Sequence, residues 1–156
     1  MSNLLQETGD ILLQETADII LLDIPLTYSR EDKVALPSVV TNLATTYSGA
    51  EETTVSVSDN SRVGLEGSDY LIHQFQVTHT NSTDTIKVTW EGQSTVSSAT
   101  SSVYIQLYDY TGTIWVTKAI EAATGANTDF TFSISVDDSD YFDGSNTVTA
   151  RVYQST

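Results

Sequence analysis

The chain has 156 residues, enough for one well-buried domain with an appendage. Six Lys and Arg against 21 Asp and Glu give a net charge of −15, which lacks the basic face that nucleic acid needs and opposes docking on an anionic membrane. With 17% charged and 39% hydrophobic residues and no cysteine, the composition is that of a folded chain held by its core or by assembly, not by disulfides.

No apolar run approaches the ~20 residues of a membrane span. The first residues lack Lys and Arg, and their apolar pairs are broken by Glu7, Asp10 and Glu15, unlike a secretory signal. A soluble chain made in the cytoplasm is expected.

The amino-terminal end repeats itself: Leu4-Leu5-Gln6-Glu7-Thr8-Gly9-Asp10-Ile11 is followed by Leu12-Leu13-Gln14-Glu15-Thr16-Ala17-Asp18-Ile19, then by a degraded copy over 20–24. Each unit reads as a short strand closed by a turn. Leu5, Leu12 and Ile19 also stand at heptad spacing, but Gly9 and the β-branched residues argue against a helix. Units this short cannot bury a core alone. Residues 1–24 are therefore expected to form an arm, with Leu4, Leu5, Leu12 and Leu13 as its contact residues. The arm packs on its own domain or adds strands to a neighbouring subunit.

Residues 25–50 read as a linker, in which Ser29-Arg30-Glu31-Asp32-Lys33 is expected to be a solvated loop and 34–43, containing Pro37, an irregular stretch. Residues 51–156 read as a β domain. A strand is expected over 53–57 and a turn at 59–61. Leu71, His73, Phe75, Val77 and His79 then alternate with polar or apolar partners, and Ile86, Val88 and Trp90 alternate with Lys87, Thr89 and Glu91. The segment 92–102 is a Ser/Thr-rich loop. Val103, Ile105 and Leu107 face one way and Tyr104, Gln106, Tyr108 and Tyr110 the other, and Thr111-Gly112-Thr113 turns the chain back into Ile114-Trp115-Val116 as a hairpin. After a loop over 119–129, Phe130, Phe132, Ile134 and Val136 alternate with Thr131, Ser133 and Ser135. A last strand turns Val148, Ala150 and Val152 inward and Thr149, Arg151 and Tyr153 outward. Short alternating runs without helices call for an all-β fold, an antiparallel β-sandwich or jelly roll.

Tyr104, Tyr108, Tyr110 and Trp115 form the candidate site. Aromatic rings on a sheet face stack on sugars, or they are covered by a second sheet, the arm or another subunit, since Tyr and Trp are favoured at interfaces. Asp137-Asp138-Ser139-Asp140-Tyr141-Phe142-Asp143-Gly144 reads as a solvated acidic turn, with a calcium site as the alternative. His73 and His79 share a face but stand ~20 Å apart along a strand, too far to share one metal. There is no nucleophile elbow and no phosphate-binding glycine loop, so no catalytic residue, metal or cofactor is expected.

The segment 4–15 resembles short Leu-Leu-x-Glu-Thr-Gly-Asp repeats of tailed-bacteriophage virion proteins. The span 70–154, with 103–110, Thr128-Asp129-Phe130-Thr131, Tyr141-Phe142-Asp143-Gly144 and Val148-Thr149-Ala150-Arg151-Val152-Tyr153, is similar to β-sandwich modules of phage structural proteins and microbial surface proteins. The resemblance implies a virion component located on the phage particle, with a head-decoration role as the best fit. In that class a compact β domain sits as a trimer on the major capsid protein and its arms reach onto neighbours. The alternative is a carbohydrate-binding module of a fibre or cell-surface protein, with a glycan as partner.

Overall fold

The computed structural model describes residues 26–55 and 61–155. The expected arm, with Leu4, Leu5, Leu12 and Leu13, lies outside the described residues, as do positions 59 and 60 of the expected turn. What is described is all-β apart from one short helix and one turn of 3₁₀ helix.

The strands are β1 (Leu26–Lys33), β2 (Thr45–Thr46), β3 (Tyr70–Thr78), β4 (Ile86–Gln93), β5 (Val103–Asp109), β6 (Ile114–Glu121), β7 (Asp129–Val136) and β8 (Thr147–Ser155). Six of them form one antiparallel sheet in the order β2-β1-β3-β8-β5-β6, and β4 pairs with β7 in a second, two-stranded sheet. The small sheet lies on one face of the large one. Alternation explains why: Val88, Trp90, Phe130, Phe132 and Ile134 pack onto Phe75, Val103, Ile105, Leu107, Ala150 and Val152, while Lys87, Thr89, Thr131, Ser133 and Ser135 face water. Ile105 and Leu107 are 0% exposed, and each such side chain contributes about 1.5–3 kcal/mol by leaving water.

The hairpin of β5 and β6 forms as its sequence predicts. Asp109 accepts from the Gly112 amide at 2.5 Å, and Thr113 takes the left-handed conformation with φ 55°. A bulge between Ile105 and Gln106 leaves Lys118 as the extra residue on β6, and its ammonium lies 4.2 Å from the centre of the Tyr141 ring.

Three expectations need correction. The charged cluster 29–33 is not a solvated loop: it is the body of β1, in register with β3 from Leu26↔Val77 to Lys33↔Tyr70. Its charges are satisfied one by one. Arg30 pairs with Glu51, Lys33 with Glu31, and Asp32 accepts from the Ser68 and Asp69 amides. The strand expected at 53–57 is instead the end of helix α1 (Gly49–Val55) as far as it is described. Ser48 and Glu51 close its first turn as a capping box, Ser48 N donating to Glu51 at 2.8 Å and Glu51 N to Ser48 Oγ at 3.4 Å. The acidic turn near 137–143 is only partly solvated. It contains the 3₁₀ turn Ser139–Tyr141, and Tyr141 and Phe142 are buried beside Leu107 and Val148.

Residues 34–55 wrap the β1 edge of the large sheet. The stretch 34–44 crosses the face away from the small sheet, where Pro37 O accepts from Arg151 and Thr41 O from Gln74. β2 then pairs with β1 at Ser29 and Arg30. Beyond it, Tyr47 turns onto the opposite face, stacked on Tyr28 at 5.5 Å.

Candidate functional site

The large sheet's outer face, away from β4 and β7, carries all four aromatic residues of the expected site, and the strand registers arrange it in rows. One row reads Ile72, Tyr153, Tyr104 and Ile120 across β3, β8, β5 and β6. The next reads Ser29, Gln74, Arg151, Gln106 and Thr117. Thr149, Tyr108 and Trp115 follow, with Tyr110 just beyond the end of β5.

The second row is a polar ladder. Arg151 Nε donates to Gln106 Oε1 at 2.8 Å, and Gln106 Nε2 donates to Thr117 Oγ1 at 2.9 Å. Arg151 Nη1 donates to Pro37 O at 2.8 Å, and its guanidinium lies 4.1 Å from the Trp115 ring centre and 5.5 Å from that of Tyr153. Arg151 is only 4% exposed. Burial lowers its pKa to about 10, with Tyr153 acting the other way, so it stays a cation at neutral pH. Stacking on aromatic faces and bonding to neutral oxygens suit guanidinium better than ammonium, because its charge is delocalised and weakly hydrated.

The aromatic residues are occupied by one another. Tyr104 and Tyr153 stack face to face, centroids 4.9 Å apart and planes 12° apart, and Tyr70 meets Tyr153 edge-on at 6.2 Å. Tyr108 is 7% exposed and contacts Tyr110 and Trp115 edge-on at 5.0 and 5.2 Å. Tyr110 OH bonds Thr149 Oγ1 at 2.8 Å, and its pKa is raised mainly by burial. Trp115 Nε1 is buried without a hydrogen-bond partner among the described residues, so Trp115 serves as a stacking surface for Arg151. At the sheet edge, Ile120 is 56% exposed.

A second cluster, not singled out by the sequence, lies at the β1 edge on the covered face. His73 bonds Tyr47 through Nδ1 and OH, and its ring packs on Trp90 at 5.1 Å. Arg30 lies 4.9 Å from the Tyr47 ring centre and holds Glu51 at 2.5 Å. Burial, then Arg30, lowers the His73 pKa to about 4, and burial raises that of Tyr28 to about 12. Arg30 and its hydrogen bond hold the Glu51 carboxyl down at about 2. The signal available in the sequence was Ser48-x-x-Glu51, a helix start three residues before Glu51.

The aspartates of the acidic turn are used locally. Asp138 accepts from Asp140 N at 3.0 Å, and Asp143 accepts from Ser145 N and Thr147 N at 2.7 and 2.8 Å. Among the described residues no group of His, Cys, Asp and Glu is arranged to hold a metal ion. No described helix is long and apolar enough to cross a membrane. The chain matches no family model, no curated protein and no solved structure.

Proposed function

We propose that this chain is a non-enzymatic structural subunit of a virion: a capsid decoration protein that binds the assembled shell through its amino-terminal arm and joins its own copies, as a trimer, through subunit contacts. The observation that carries the subunit-contact reading is the Tyr104–Tyr153 pair. Their ring faces are turned on each other, so edges and hydroxyls, not flat platforms, point away from the sheet. Beside them stands the exposed Ile120. Edges, hydroxyls and an aliphatic rim suit a protein neighbour, for which Tyr is favoured, better than a pyranose ring that needs a free aromatic face. The repeated Leu-Leu pairs at 4–5 and 12–13 support the arm as the second contact. Binding only to assembled lattice would stabilise that lattice by mass action.

The carbohydrate-binding alternative requires an accessible ring. Tyr110 and Trp115, half-buried at the end of the outer face, are the residues that it would use. Two measurements separate the readings. Ile120→Lys places a charge at the exposed rim without touching the core, and it is expected to lower the solution mass of the full chain in light scattering. Glycan arrays would give no binding. Glycan binding by a monomer whose mass ignores Ile120→Lys contradicts the structural reading.

A further inference from the structure

The largest side-chain tie of residues 44–55 to the sheet runs through Tyr47 to one buried histidine and its neighbours. α1 buries none of its residues. Besides the β2 pairing, Tyr47 N to Tyr28 O and Ala44 N to Glu31 Oε2, both at 2.9 Å, this limb's ties to the sheet include Tyr47 on Tyr28 and His73 and Glu51 on Arg30. Few buried contacts make such a limb a natural unit of local opening. Lifting it would bring water to His73, which lies beneath Tyr47 and is 8% exposed when the limb is closed.

We propose that the limb 44–55 is an acid-released latch, in which protonation of His73 beside Arg30 drives the limb off the β1 edge and bares Tyr28, His73 and the β1 backbone at Ser29 and Arg30. The open state presents an unpaired strand edge, the template by which another strand adds to a sheet.

The groups around His73 make the direction definite. On β1 stand Arg30 and Tyr28, on the limb Tyr47 and Glu51, while β4 and β8 contribute the uncharged Trp90 and Val152. An imidazolium in the closed state would be dry and next to a guanidinium, and both effects favour neutral imidazole. Glu51 cannot compensate, because it is already ionised and engaged by Arg30 down to a pH of about 2. His73 has a pKa of about 4 closed, against an ordinary 6.5 once wetted. The open-to-closed ratio therefore rises about 30-fold at pH 5 relative to high pH.

Amide hydrogen exchange on the full chain at pH 7 and pH 5, corrected for intrinsic rates, tests this. Protection of the Tyr47 amide, which bonds Tyr28 O across to the sheet, should fall by about 20-fold between the two pH values, while β5 and β8 amides at Ile105 and Val152 hold their protection. In His73→Gln the pH dependence should vanish. In Tyr47→Phe, which keeps the ring and loses the hydroxyl, the limb should open more at pH 7 yet keep its pH dependence. If protection of the limb is independent of pH, if all strands lose protection together, or if His73→Gln or Tyr47→Phe reverses these patterns, the latch is overturned. Should His73→Gln fail to fold, an NMR titration of His73 in the wild-type chain decides: a midpoint near 6.5 in the closed state contradicts the proposal.

Discussion

At Gly92 the absence of a side chain is dictated by the neighbour two positions earlier on the same strand face. A Cβ there would stand 2.5 Å from Trp90 Nε1 and 2.9 Å from Cε2, and the indole is wedged against His73 and Phe75, so it cannot swing away. Gly92→Ala is expected to cost about 1–3 kcal/mol by overpacking, read as a lower urea midpoint at unchanged slope. Arg151 makes the opposite case, a large side chain whose shape matters. Lysine would keep the charge but lose the Nε bond to Gln106 and the planar contact with Trp115. Arg151→Lys should cost about 1–3 kcal/mol, measured in the same denaturation series. Sequence alternation placed Arg151 on the outward side of its strand correctly. It could not show that this side is buried, because that depends on the stretch 34–44 crossing above it, a contact more than a hundred residues away in the chain.

Among the elements, those built on period-two alternation were legible: β3, β4, β5, β7 and β8 each turn a mainly apolar set of alternate residues inward, interrupted by His73 in β3 and Gln154 in β8, and the turn at Gly112 joins β5 to β6 as read. β1 was missed because its sequence is charged. Its strand character comes from pairing with β3 and from partners 20 or so residues away, such as Glu51 for Arg30. α1 was missed because Thr53, Thr54 and Val55 favour strands locally, whereas the capping box starts the helix, and the Thr53 and Thr54 hydroxyls find partners inside it at the carbonyls four residues back. Ser48→Ala should therefore weaken α1 by about 1 kcal/mol. Since α1 buries no residue, the loss should appear as faster exchange of the Glu52 amide with an unchanged global denaturation midpoint.

For the whole molecule, the large sheet is covered on one face by β4 and β7, and residues 34–44 cover part of the other over Gln74 and Arg151, so both faces hold buried side chains. A two-layer β fold was readable from the strand count and spacing. The uneven split of strands was not, since pairing partners leave no mark on alternation. Stability of the whole follows the two histidines. His73 and His79 both have pKa values below the ordinary 6.5, chiefly through burial, and that of His73 is about 4. Between those pH values the unfolded chain binds protons that the folded chain does not. The stabilisation is complete above pH 6.5 and declines as pH falls towards 4, by about 3 kcal/mol at most from His73. His73→Gln should flatten this part of the pH–stability curve in urea denaturation.

The proposed role is that of a chain that works by joining other chains. Light scattering of the full chain, compared with a chain starting at Pro25, measures that directly. A trimer is expected for the full chain. A trimer that falls apart without residues 1–24 would place the arm between subunits, and one that survives their removal would leave the arm for the capsid. Monomers in both cases, over the whole accessible concentration range, would contradict it.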